Sequence, residues 1–61
     1  MSGAKSEIFV EFVVQGNVVK VTAIDPVTGI EGSIVGPTNA GREVLMEAAR
    51  RKLEYVLKKN S

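Results

Sequence analysis

The chain is 61 residues long, 44% hydrophobic, 25% charged and only 5% aromatic, with a formal net charge of +1 and neither Cys nor His. That length makes one small domain, of a size at which disulfides, a structural metal or self-association usually supplement the core. The composition removes disulfides and the common zinc site, which leaves self-association, and the near-neutral balance lacks the positive excess of most nucleic-acid and membrane-surface proteins.

Residues 1–6 are small and polar and read as a disordered N-terminal tail. They hold no apolar core of signal-peptide length, and no stretch of the chain approaches the roughly 18 apolar residues of a membrane span. A cytoplasmic protein is expected. Residues 7–14 (EIFVEFVV) are rich in β-branched and aromatic side chains, and Ile8, Val10, Phe12 and Val14 fall on one face at period two, which predicts a strand. Gly16 and Asn17 suit a two-residue hairpin turn, after which residues 18–24 (VVKVTAI) form the second strand. With that turn Val14 pairs with Val19, Phe12 with Val21 and Val10 with Ala23, all apolar; a three-residue loop would set Phe12 opposite Lys20.

Asp25-Pro26-Val27-Thr28-Gly29 is the next turn: Asp bonds its own backbone, Pro presets φ and Gly takes the left-handed position. The second hairpin then sets Asp25 against Ile30, Ala23 against Gly32 and Val21 against Ile34, with a third strand over residues 30–35. A glycine inside a strand marks a close backbone approach, and Gly32 is expected where the helix crosses. Gly36-Pro37 ends the strand, Thr38 or Asn39 is the expected helix cap, and the first turn holds Ala40, Gly41 and Arg42. The helix runs to about Lys59. Its central stripe is Leu45, Ala49, Leu53, Val56 and Leu57, widened by Met46 and Ala48. Glu47 with Arg51 and Glu54 with Lys58 are favourable pairs four apart, and Lys58 and Lys59 suit the negative end of the helix dipole. The fold class is α+β: a three-stranded antiparallel β-meander and one C-terminal α-helix packed on one sheet face, as a single domain over residues 7–59 with 60–61 frayed.

One helix covers one sheet face, so partners are sought on the other. Its rows are Phe9, Ile24 and Glu31; Glu11, Thr22 and Ser33; and Val13, Lys20 and Val35. The candidate self-association residues are therefore Phe9, Val13, Ile24 and Val35 on the sheet, with Val44 and Tyr55 on the helix beyond its main stripe. The sheet edges offer a second route, by strand addition. Without His or Cys, catalysis would rest on carboxylates, Lys and Ser. Glu11 and Glu31 share the open face but stand about 12 Å apart, beyond the ~5 to 9.5 Å of paired catalytic carboxylates. Asp25, Thr28 and Glu31 lack the alternating acidic ligands of a calcium loop. Residues 36–41 have the G-x-x-x-x-G spacing of a phosphate loop, but Arg42 and Glu43 stand where Lys and Ser or Thr are needed. No catalytic, cofactor or metal residue is assigned.

Nucleic acid is the competing partner. Residues 42–59 carry six basic side chains against three acidic ones, whereas residues 1–41 carry two against four. The candidates are Arg50, Arg51, Lys52, Lys58 and Lys59. Around Ala48-Ala49-Arg50-Arg51-Lys52-Leu53 the chain also resembles the second half of a double-stranded-RNA-binding domain, without that domain's first helix and with Asn39, Arg42 and Glu43 replacing its lysines at the helix start.

A broader resemblance rests on Glu11-Phe12-Val13, Gly16-Asn17, Val19-Lys20-Val21, Ala23-Ile24-Asp25-Pro26, Thr28-Gly29, Ser33-Ile34-Val35-Gly36-Pro37 and Arg51-Lys52-Leu53-Glu54-Tyr55-Val56-Leu57. Over residues 7–59 the chain resembles a family of very short bacterial proteins of unknown function. The resemblance implies a stand-alone protein and brings no activity, cofactor or site residue. The expectation is a non-catalytic protein interaction module that acts as a homodimer, with another protein as a further partner and weak nucleic-acid binding as the alternative.

Overall fold

A computed structural model describes residues 7–60, in which four elements follow in chain order: β1 (Phe9–Gln15), β2 (Val18–Ile24), β3 (Glu31–Pro37) and α1 (Arg42–Asn60). The tail expected over residues 1–6 and the fraying expected at Ser61 lie outside the described residues. The strands form one antiparallel sheet in the order β1-β2-β3. Each pair expected from the apolar faces is present, including Phe12 with Val21, Val21 with Ile34 and Ala23 with Gly32.

Turn chemistry accounts for this register. Gly16 has φ +61° and Asn17 keeps a negative φ, the signature of a type II′ hairpin with Gly at the first central position. In the second turn Val27 N–H donates to Asp25 Oδ1 at 2.9 Å and Gly29 N–H to the Asp25 carbonyl at 2.7 Å. Gly29 takes φ +77°, and Ile30 N–H donates to Thr28 Oγ1 at 3.2 Å. The side chains of Asp25 and Thr28 thus hold the loop from both ends.

β1 spans Phe9–Gln15 rather than the expected residues 7–14, and β3 starts one residue later than expected; the end of β3 and the start of α1 also differ, and these two share one reason. β3 begins at Glu31 and continues past Val35 to Pro37, because Thr38 N–H donates to the Asn17 carbonyl at 3.0 Å and prolongs the ladder. Pro37 is tolerated there because its missing N–H would point away from β2. With Thr38 bonded back to the first hairpin, Thr38 and Asn39 form the turn after β3 and α1 starts only at Arg42, so neither caps the helix. Ala40 N–H turns back to the Pro37 carbonyl, and the first helical bond runs from Leu45 N–H to the Gly41 carbonyl, which puts Gly41 at the cap and starts α1 at Arg42. At the other end α1 reaches Asn60, one residue past the expected domain limit.

The buried core is Val19, Val21 and Ala23 from β2 with Leu45, Ala49 and Leu53 from α1. A Cβ on Gly32 would lie 2.5 Å from Leu53 N and 2.7 Å from Leu53 Cα, so the helix backbone rests directly on β3. At Gly36 a Cβ would meet only the Leu45 side chain, at 2.6 Å. α1 lies over β2 and β3. This corrects the expectation that the helix covers the whole face: Val14 of β1 points to the helix side, yet it is 65% exposed.

Gly32→Ala should destabilise the fold by about 1–3 kcal/mol, because backbone atoms of α1 must retreat, and lower the melting temperature by about 10 °C. Gly36→Ala should cost less, since a leucine rotamer can give way. Thermal unfolding of both variants at one protein concentration checks the order.

Candidate functional site

On the sheet face away from α1, the rows are Phe9, Ile24 and Glu31; Glu11, Thr22 and Ser33; Val13, Lys20 and Val35; and Gln15, Val18 and Pro37. Phe9, Val13 and Val35 are exposed, whereas Ile24 is half-buried. These four do not make one patch. The row between them is polar: Thr22 Oγ1 and Ser33 Oγ are hydrogen-bonded at 3.1 Å, and Thr22 is only 7% exposed. Phe9 and Val13 stand about 13 Å apart along β1, and Lys20 separates Val13 from Val35. Glu11 and Glu31 occupy different rows on the two outer strands.

The helix candidates do share a stripe. Val44 and Tyr55 are about three turns and roughly 16 Å apart, on the outward side of α1 with Ala48 and Arg51 between them. Lys59 Nζ lies 5.8 Å from the Tyr55 ring centroid. The basic candidates, in contrast, are distributed around the helix. Arg50 and Lys52 point to opposite sides, since two residues advance about 200°. Arg51 and Lys58, about 20° apart in projection, flank a shallow groove with Glu54, Tyr55 and Leu57. Glu47 accepts from Arg50 Nη1 at 3.2 Å and pairs with Arg51 Nε at 3.6 Å, which partly neutralises the strip. The phosphate-loop spacing has no matching loop, because Gly36 is part of β3.

Sequence reasoning missed the apolar groove between β1 and the start of α1. Phe12, Val14 and Val19 line its sheet side, and Ala40, Arg42 and Leu45 its helix side. The Arg42 guanidinium sits 4.9 Å from the Phe12 ring centroid, a geometry that favours the cation over the π face. A signal was present in the sequence: the small residues Ala23 and Gly32 belong to β2 and β3, and the large Val10 and Phe12 to β1, so a helix seeking close approach moves away from β1.

Glu47→Gln removes both ion pairs at exposed positions. Stability in urea should change by less than about 0.5 kcal/mol, a limit that equilibrium denaturation checks.

Among the described residues no helix is long and apolar enough to cross a membrane. No curated protein and no solved structure gives a significant match to the chain. A family model, domain of unknown function DUF6898, matches residues 5–60, and the chain belongs to that family.

Proposed function

We propose that this chain is a small, non-catalytic protein interaction module whose first partner is a second copy of itself. The observation that carries the proposal is the ratio of outside to inside. Among the described residues eight large hydrophobic side chains are exposed, Phe9, Val13, Val14, Val18, Val27, Val35, Val44 and Tyr55, while the buried core has six residues, two of them alanine. Single exposed apolar residues are ordinary, but β1 alone contributes three, and a core this small gains most from further burial. The chain lacks both His and Cys, and its open-face carboxylates are too far apart to share a proton or a nucleophile. A cytoplasmic location belongs to the same reading and is compatible with a chain that lacks cysteine; a bacterial source rests on the resemblance alone.

Weak nucleic-acid binding is the second reading. It is supported by Arg51 and Lys58 flanking the exposed Tyr55 ring, the usual pairing of phosphate contact with a stacking platform. Glu47 and Glu54 on the same strip oppose it.

Sedimentation equilibrium at tens of micromolar should return twice the chain mass of 6.5 kDa. A cooperatively folded monomer at that concentration contradicts the proposal. Retention on RNA or DNA that falls steeply with salt would favour the second reading.

A further inference from the structure

Each outer strand of a three-stranded sheet keeps one side of its backbone without partners. The ladder identifies those groups. Asp25 N–H donates to the Ile30 carbonyl, and Thr38 N–H to that of Asn17; odd-numbered β2 residues therefore turn their backbone groups toward β3 and even-numbered ones toward β1. The β1 partners of those even residues are Phe9, Glu11, Val13 and Gln15. Val10, Phe12 and Val14 consequently direct their N–H and C=O groups outward.

The two edges are not equivalent. β3 holds Gly32 and Gly36, ends in Pro37 without a donor, and lies under α1. β1, FVEFVVQ, has no Pro, Gly or Lys, and its pairing with β2 runs without a bulge. Among the described residues the usual devices that blunt an edge are reduced on β1 to one charged side chain, Glu11, whose backbone groups face β2. The three residues with outward backbone groups also carry apolar side chains on the helix side, where Val10 and Phe12 are half-buried and Val14 is 65% exposed. Free hydrogen-bonding groups and uncovered apolar surface thus coincide on one strand.

We propose that β1 pairs antiparallel with β1 of a second copy about a two-fold axis at Phe12, giving a continuous six-stranded sheet. This rests on the homodimer reading and names its surface. Phe12 is the middle residue of β1, so this register overlaps the strand along its whole length. It sets Phe12 against the partner's Phe12, Val10 against the partner's Val14, and Glu11 against the partner's Val13. Moving the axis to Glu11 would place two carboxylates directly opposite, which is unfavourable. Moving it to Val13 would carry Phe9 past the end of the partner strand. The chosen register forms three hydrogen-bonded residue pairs, about six bonds, and covers the Val14 side chain that α1 leaves open. Two-fold closure uses up both β1 edges, so the assembly stops at two copies.

Single variants and a cross-link test the pairing. Val14→Pro costs no ladder bond within one chain, because that N–H points outward, but removes donors from the new interface. Val35→Lys changes only the open face. By sedimentation equilibrium with circular dichroism, Val14→Pro should be folded and at the chain mass, while wild type and Val35→Lys remain at twice that mass. If wild type is dimeric but Val14→Pro stays dimeric, or Val35→Lys dissociates, edge pairing is wrong and the homodimer reading stands. If wild type is monomeric, both fall. Should Val14→Pro fail to fold, a mixture of Glu11→Cys and Val13→Cys chains decides. The Cα atoms of the two substituted positions would lie about 4.5 Å apart as a non-hydrogen-bonded pair, within disulfide range. Two Glu11→Cys chains, in contrast, would bring their thiols together only diagonally, at about 7–8 Å. Mild oxidation should yield mainly the mixed disulfide, identified by intact mass; homodimeric disulfides alone, or none, overturn the register.

Discussion

The contact between Gly32 and the backbone of Leu53 organises the molecule. A helix can approach a sheet this closely only where the strand offers no side chain, and the buried neighbours Ala23 and Ala49 keep the surrounding layer thin. The approach fixes α1 over β2 and β3. Leu53 and Val21, the largest fully buried side chains, lie in the layer this creates, and Gly36 leaves room for Leu45, about two turns nearer the start of the helix. What is gained on the β3 side is lost on the β1 side. The larger residues Val10, Phe12 and Val14 are left half covered or open, and the Arg42 guanidinium over Phe12 is a partial lid in place of a packed helix.

Polar chemistry supports this arrangement without supplying a reactive centre. Asp25 and Thr28 close the second turn by bonding nearby backbone N–H groups, and the Thr22 and Ser33 hydroxyls satisfy each other in the middle of the open face. That hydroxyl pair divides the open face into two apolar ends. A second copy laid across the face would have to cover it, whereas one added at the β1 edge would not. The exposed ion pairs of Glu47 with Arg50 and Arg51 belong to the solvated side of α1 and contribute little to stability.

Much of the fold was legible in the sequence, because a strand's period of two makes register an all-or-none question. Gly16-Asn17 and the Asp25 to Gly29 turn left one loop length each that kept Phe12 off Lys20 and put Ala23 against Gly32. The close approach at Gly32 was equally readable. The helix start was not, because Thr38 and Asn39 are good caps locally and only the tertiary bond from Thr38 to Asn17 withdraws them. The position of the helix across the sheet was also missed. Periodicity assigns Val14 to the helix side but carries no information about lateral placement, which small residues on neighbouring strands decide. Of the site candidates, Val44 and Tyr55 share a stripe because helical spacing is regular, whereas Phe9 and Val13 share a face yet are separated by the polar row of Glu11, Thr22 and Ser33, which the expected register already contained.

We propose that the seating of α1 on Gly32 leaves β1 as the joining edge. Residue-resolved amide hydrogen exchange over a dilution series tests it most directly, since the β1 amides alternate in direction. Glu11 and Val13, bonded to β2, should be protected at every concentration at which the chain is folded. Val10, Phe12 and Val14 should be protected at high concentration and lose that protection on dilution. Fast exchange of those three amides at all concentrations, in a sample that is dimeric throughout, would contradict the account.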